Sequence, residues 1–250
     1  LLDAGLPYDF FYHNYGLGVL KFYGVIWDNT FSFVHDEPDI ILNSFGDDDT
    51  IHFDSKPGNG IVITTKSSGN QSSNSIVIQN DGKIVSAGIT NNDFAIVRYD
   101  TDGTLDRKFG SNGILNTSFA TTSECLSVSI QTDGKIIAAG STRGTYDSCV
   151  LARYNTNGTL DTGFGTNGAV ISTNGKWLST AIQNDGKIIT GGYTNTGRSL
   201  FTLARYTTNG TLDTTFGTVT TTFSGSGSNT KLNSLLIRTD GKIIGAGSSQ

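Results

Sequence analysis

Asp100, Asp102, Thr104 and Asp106, in the run DTDGTLD, place oxygen-bearing side chains at alternate positions, the arrangement a hard cation such as calcium draws on. A second acidic run, GDDDTIHFD from Gly46 to Asp54, is the other metal candidate, with solvated loop charge as the default reading. His13, His35 and His52 are the only histidines, so a hydrolase or metal-dependent centre would have to be built there, with the neighbouring aspartates. No serine or cysteine stands in a nucleophile motif such as G-x-S-x-G. GSGS, from Gly225, is too short, and too far from any strand-to-helix context, to cradle a phosphate.

The chain carries its own control on the calcium reading, because the run recurs. VRYDTDGTLDRKFGSNG, ARYNTNGTLDTGFGTNG and ARYTTNGTLDTTFG place Asp106, Asp161 and Asp213 at spacings of 55 and 52 residues. The later copies replace the first carboxylates by Asn or Thr and keep the glycine. A turn whose glycine persists while its charge does not is an Asx turn, so solvated turn residues are expected here rather than a calcium site. No metal and no cofactor are expected.

A second string precedes each corner. QNDGKIVSAG, QTDGKIIAAG, QNDGKIITGG and RTDGKIIGAG place Asp81, Asp133, Asp185 and Asp240 at intervals of 52, 52 and 55 residues. A fixed period of this size decides the architecture before any local reading. Each period predicts four strands. In the first these are Ser75 to Gln79, Lys83 to Ile89, Phe94 to Asp100 and Gly113 to Phe119. Gly82 supplies the positive φ of a three-residue hairpin with a bulge, and the third and fourth strands meet at the NGT-type corner. Strands such as KIIAAG and CVLARY are short apolar runs rather than strict alternations, which fits a sheet covered on both faces. The expected fold is all-β: a β-propeller of four-stranded antiparallel blades with a period of about 52 residues.

These strings resemble the delta-60 repeat family, bacterial repeats also described as a domain-of-unknown-function β-propeller. The resemblance runs from about Asp54 to Gly247 and implies a propeller of about seven blades on secreted or surface-associated proteins. It implies no established activity. The absence of methionine, and a sequence stopping inside a motif that earlier copies continue, predict a fragment of a longer ring.

The expected organisation is a divergent N-terminal blade over residues 1–65, then repeats over 66–250 with blades at about 73–119, 125–172 and 177–223 and a partial one at 232–250. The first 45 residues hold 11 of the 25 aromatics, but a step of 52 residues sets Asp28-Asn29 at a hairpin turn, which favours a degenerate blade over a separate module. Net charge is −5 with singly scattered cations, so no nucleic-acid stripe is present. The longest apolar stretch, Leu17 to Trp27, is broken by Lys21 and too short to span a bilayer, so no membrane insertion of this segment is expected. Cys125 would lie on a first strand and Cys149 on a third, two strand spacings apart, beyond the reach of a disulfide.

A catalytic residue is needed once, whereas a residue recurring in every blade answers a need of every blade. Arg98, Arg153 and Arg205 recur with Asp106, Asp161 and Asp213, with Tyr99, Tyr154 and Tyr206, and with Phe109, Phe164 and Phe216. Each arginine is expected to pair with an aspartate of its own or the neighbouring blade, and each phenylalanine to plug a seam between blades. Function is then expected in what varies: the loops TNND, STRGTYDS and YTNTGRS between second and third strands, where Arg143, Tyr146, Tyr193 and Arg198 carry side chains that commonly anchor interfaces. The expected role is a non-enzymatic scaffold that binds a protein or a glycan at this face, extracellular or at the cell surface. The alternatives are the histidine-based hydrolase or metal-dependent domain and a structural spacer with no ligand.

Overall fold

The structure is a computed structural model that describes residues 24–27, 30–33, 41–42, 61–62, 64, 71–144, 147–221 and 229–249. The described elements are all strands. β1 (Gly24–Trp27) and β2 (Thr30–Phe33) form an antiparallel hairpin, and β3 (Ile41–Leu42) pairs with β4 (Ile61–Val62). Three four-stranded antiparallel meanders follow. Blade 1 is β5 (Gln71–Ile78), β6 (Ile84–Thr90), β7 (Asp93–Tyr99) and β8 (Ile114–Thr117). Blade 2 is β9 (Thr122–Ile130), β10 (Ile136–Arg143), β11 (Asp147–Tyr154) and β12 (Ala169–Thr173). Blade 3 is β13 (Gly175–Ile182), β14 (Ile188–Asn195), β15 (Ser199–Tyr206) and β16 (Thr218–Thr221). β17 (Thr230–Ile237) and β18 (Ile243–Ser249) are the first two strands of blade 4. The expected meander is therefore present, with first strands that begin a few residues earlier than the apolar pattern indicates.

The hydrophobic core lies between blades. Along β10, Ile136 and Ala138 face blade 1, while Ile137 and Ala139 face blade 3; along β11, Val150 and Ala152 face one way, and Cys149 and Leu151 the other. All eight are fully buried. The uninterrupted apolar runs thus have a simple cause: the period of two in a strand sends alternate residues into two different cores. Each successive first strand packs on the first three strands of the blade before it, β9 on β5, β6 and β7, β13 on β9, β10 and β11, and β17 on β13, β14 and β15. First strands are the common line along which the blades meet, and the outer strands, such as β16, are largely exposed.

Each first strand carries a β-bulge, at Asn74, Leu126, Leu178 and Asn233, and a glycine of the second strand faces it. A Cβ at Gly88, Gly140, Gly192 or Gly247 would lie 1.7, 2.0, 2.0 or 1.9 Å from the carbonyl oxygen of Ser72, Glu124, Lys176 or Lys231. No side chain fits there. The bulge turns the following stretch outward, so a serine of one blade meets the backbone of the next. Ser75 Oγ accepts from Val128 N at 3.1 Å, Ser127 Oγ from Thr180 N at 3.0 Å and Ser179 Oγ from Leu235 N at 3.1 Å.

The expectation for residues 1–65 falls mostly outside the described residues. Where it is visible, the β1–β2 hairpin closes between Trp27 and Thr30, and the β3–β4 pairing is parallel, unlike the antiparallel third and fourth strands of blades 1 to 3. Thr64 Oγ1 lies 2.6 Å from Tyr99 OH. Fourth-strand residues of the preceding blade stand in the same relation further on: Thr117 lies beside Tyr154 without closing a hydrogen bond to its hydroxyl, and Ser172 lies beside Tyr206. Cys125 and Cys149 are free, buried and separated by β10.

Candidate functional site

The antiparallel meander sorts its connections to two ends. The hairpins between first and second strands and the corners between third and fourth strands share one end; the loops between second and third strands share the other with the links between blades.

At the corner end, every recurring charge is answered. Arg98 Nε donates to Asp106 Oδ2 at 2.9 Å, Arg153 Nε to Asp161 Oδ2 at 2.8 Å and Arg205 Nε to Asp213 Oδ2 at 3.0 Å, so each arginine pairs with the aspartate of its own blade. Its reach to the next blade is to backbone: Arg98 Nη1 donates to Thr156 O at 2.6 Å, and Arg153 Nη1 donates to Thr208 O. Arg205 instead donates to Thr215 Oγ1 of its own corner at 3.3 Å. The guanidiniums stack over the recurrent phenylalanines, Arg98 on Phe109 at 4.4 Å and Arg153 on Phe164 and Arg205 on Phe216 at 4.7 Å. Phe109 and Phe164 are fully buried, each against the turn glycine of the following blade, Gly158 or Gly210. Gly158 has φ +87 and would bring a Cβ within 2.8 Å of Gly110 N. That is why the NGT turn admits nothing larger.

A member of this set escaped the sequence reading. The lysines of the first three DGK strings complete these pairs, with Lys83 Nζ 3.1 Å from Asp106, Lys135 Nζ 2.8 Å from Asp161 and Lys187 Nζ 3.1 Å from Asp213. Lys83 also bonds Asp100. The signal was its recurrence at a fixed place in the hairpin. All three aspartates are held below the ordinary carboxylate range. At Asp106 burial opposes the charge, and the Lys108 N–H, Lys83 and Arg98 outweigh it; at Asp161 Lys135 contributes most; at Asp213 the Thr215 hydroxyl leads, followed by Lys187.

The calcium-like run resolves as a turn. Asp102 Oδ1 accepts from Thr104 N at 2.9 Å, and the amide oxygens of Asn157 and Asn209 accept from Thr159 N and Thr211 N at 3.0 and 3.3 Å. Carboxylate and amide do the same work, on the backbone. Among the described residues no group of three or more His, Cys, Asp or Glu side chains is placed to hold a metal; His13, His35, His52 and the run from Gly46 to Asp54 lie outside them. A cavity of about 320 Å³ lies between the hairpins of blades 2 and 3, lined by Asp133, Arg153, Asn184, Asp185 and Thr208. Its one cation is already committed to Asp161 and Thr208.

The loop end gathers residues that do not repeat. Arg143, 69% exposed at its side chain, pairs with Asp147 at 3.0 Å across the β10–β11 hairpin. Tyr193 on β14 is half-buried, with Lys231 Nζ of β17 4.9 Å from its ring centroid. Its phenol is raised first by burial and then by Asp147. Lys176 on β13 lies 3.7 Å from Glu124 on β9. Arg198 is in the β14–β15 turn and enters none of these contacts, and Tyr146 lies outside the described residues. Ser72, Glu124, Lys176 and Lys231 hold one equivalent position, the residue whose carbonyl faces the strand glycine. Sequence reading missed this position, since nothing marks a variable residue until the bulge fixes the register. The same backbone site in four blades therefore carries a hydroxyl, a carboxylate and two ammonium groups, one per blade.

Bulged first strands, doubly covered second strands and seams closed by Arg, Asp, Lys and Phe define a β-propeller repeat domain. Three stretches, residues 79–109, 131–164 and 183–216, match the family model described as a domain of unknown function (DUF5122) beta-propeller. These are the hairpin-to-corner segments of blades 1, 2 and 3. No curated protein matches the chain.

Proposed function

We propose that the chain is a non-enzymatic propeller scaffold, of the delta-60 repeat kind, that binds a protein or a glycan through the loop end of its blades as part of an exported bacterial surface protein. The export and surface assignments rest on the family resemblance. The binding assignment rests on one observation: at equivalent positions the corner end repeats its side chains and consumes them in mutual pairs, whereas the loop end varies them, as Ser72, Glu124, Lys176 and Lys231. Variation on a fixed backbone is what selective recognition needs, and Tyr193 with Arg143 adds the side-chain types that commonly dominate interfaces. The test is retention of the purified chain on immobilised bacterial polysaccharides and on solubilised envelope proteins. Tyr193→Ala with Lys231→Ala should weaken retention at least about tenfold, a loss of about 1.4 kcal/mol, with Tm unchanged. No retention on either matrix would favour a spacer and sink the binding role.

A further inference from the structure

We propose that the cavity between the hairpins of blades 2 and 3 is a calcium site, in which the ion ties the two blades together at the corner end. Its lining is rich in oxygen: the carboxylates of Asp133 and Asp185, the carboxamides of Gln131 and Asn184, and the hydroxyls of Thr132 and Thr208. The guanidinium of Arg153, also in the lining, is neutralised by Asp161. Oxygen ligands suit a hard cation, and calcium, unlike magnesium, accepts irregular sets in which carboxylates mix with amide oxygens and water. About 320 Å³ leaves room for the ion with several waters, each taking about 30 Å³.

Comparison with the neighbouring seams singles this one out. Between blades 1 and 2 the protein closes the seam itself: Gln79 Nε2 donates to Gly134 O of the next hairpin at 3.4 Å, and Gln79 Oε1 accepts from Arg98 Nη1 at 3.5 Å. Gln131 holds the place of Gln79, 52 residues on, and is 7% exposed, yet its Oε1 is buried with no hydrogen-bond partner. A buried acceptor left unanswered is costly and calls for a donor or a cation. The carboxylates are also only half used. Asp133 Oδ1 and Asp185 Oδ1 accept from the N–H of Lys135 and Lys187 at 3.1 Å, which leaves the second oxygen of each. Lys135 turns its ammonium to Asp161, and Lys187 lies nearer Asp213, at 3.1 Å, than Asp185, at 3.6 Å. Between blades 3 and 4, Gln183 Oε1 is also unanswered, but there the far carboxylate, Asp240, is met by both Arg238 and Lys242 at 3.6 and 3.5 Å. An orphaned amide oxygen, two carboxylates with oxygen to give and a cavity coincide between blades 2 and 3. Two carboxylates on exposed turns make a weak site, with a Kd of about 0.1–1 mM.

Calcium chloride titrated into the chelator-treated chain, against sodium chloride of equal ionic strength, tests this. Calorimetry should show saturable binding, and at about ten times Kd the Tm should rise by about 3–6 °C. Asp133→Asn with Asp185→Asn should keep both turns, as Asn157 makes the turn bond that Asp102 makes in blade 1, and should weaken calcium binding at least about tenfold. Gln131→Leu should weaken it at least about threefold without lowering the calcium-free Tm, because it removes an unanswered oxygen. No binding beyond the sodium chloride control would overturn the proposal. So would binding that persists undiminished in the Asp133 and Asp185 double variant, which would move the ion to another acidic stretch such as Gly46 to Asp54, or in Gln131→Leu. The site lies at the opposite end from Tyr193 and Lys231, so either proposal fails without the other.

Discussion

Arg98, Arg153 and Arg205 meet the equivalent aspartate in decreasing seclusion, with side chains 8%, 11% and 19% exposed. Arg98 is buried against Asp106, itself 3% exposed, and its removal also orphans Thr156 O. Arg98→Ala should therefore cost about 3 kcal/mol, the lower end for breaking a buried pair, since Lys83 still answers the carboxylate. In a chain of this size that lowers Tm by about 6–12 °C. Arg205→Ala, with its guanidinium turned to Thr215 of its own corner, should cost about 1 kcal/mol. Equal shifts in thermal melts would refute this ordering. The aspartates set an acid limit. Their folded-state pKa values lie below the unfolded value of about 3.9, so their stabilisation is complete above that pH and is lost as pH falls through the folded values. Tm should fall steeply below about pH 4, and Asp106→Asn should flatten that limb. Burial also pushes the Cys125 and Cys149 thiols up to about 12, so neither should react with an alkylating reagent in the native protein near neutral pH, and both should react once it is unfolded.

The strands, hairpins and corners were legible because each rests on local chemistry. Gly82 has φ +82, Asp81 Oδ1 accepts from Lys83 N at 3.1 Å, and the apolar runs fill cores on both faces. Two devices that join blades were not. The glycine ending each QNDGKIVSAG-type string falls within the expected second strand, but nothing in the sequence shows that it faces a bulge, and only the strand register shows what a Cβ would strike. Ser75, Ser127 and Ser179 recur at the head of their apolar runs, but a hydroxyl there reads as the polar half of an alternation until the next blade's N–H is seen to meet it. Gly140→Ala should thus abolish folding or remove most of its stability, since the clash is with backbone. Ser127→Ala should cost about 1–2 kcal/mol by leaving the Thr180 N–H buried without its acceptor, measured by chemical denaturation. A cost near zero would show that the serine bond is incidental.

Across the molecule, one period of about 52 residues was enough to foretell blades, their number of strands and the location of the core. It did not foretell the loop-end cluster. Arg143 and Tyr193 were found by residue type, and Asp147 lies in the same STRGTYDS loop, but Glu124, Lys176 and Lys231 join the cluster only through contacts between different blades, which a repeat read one period at a time does not display. Under the proposed function the corner end stabilises and the loop end recognises, and retention measured alongside melting on two variants separates these roles. Arg153→Ala should lower Tm and leave retention on the envelope matrix unchanged below its melting range, whereas Tyr193→Ala with Lys231→Ala should leave Tm and lose retention at least about tenfold. Loss of retention in Arg153→Ala at unchanged Tm, or a fall in Tm with undiminished retention in the loop-end variant, would contradict it.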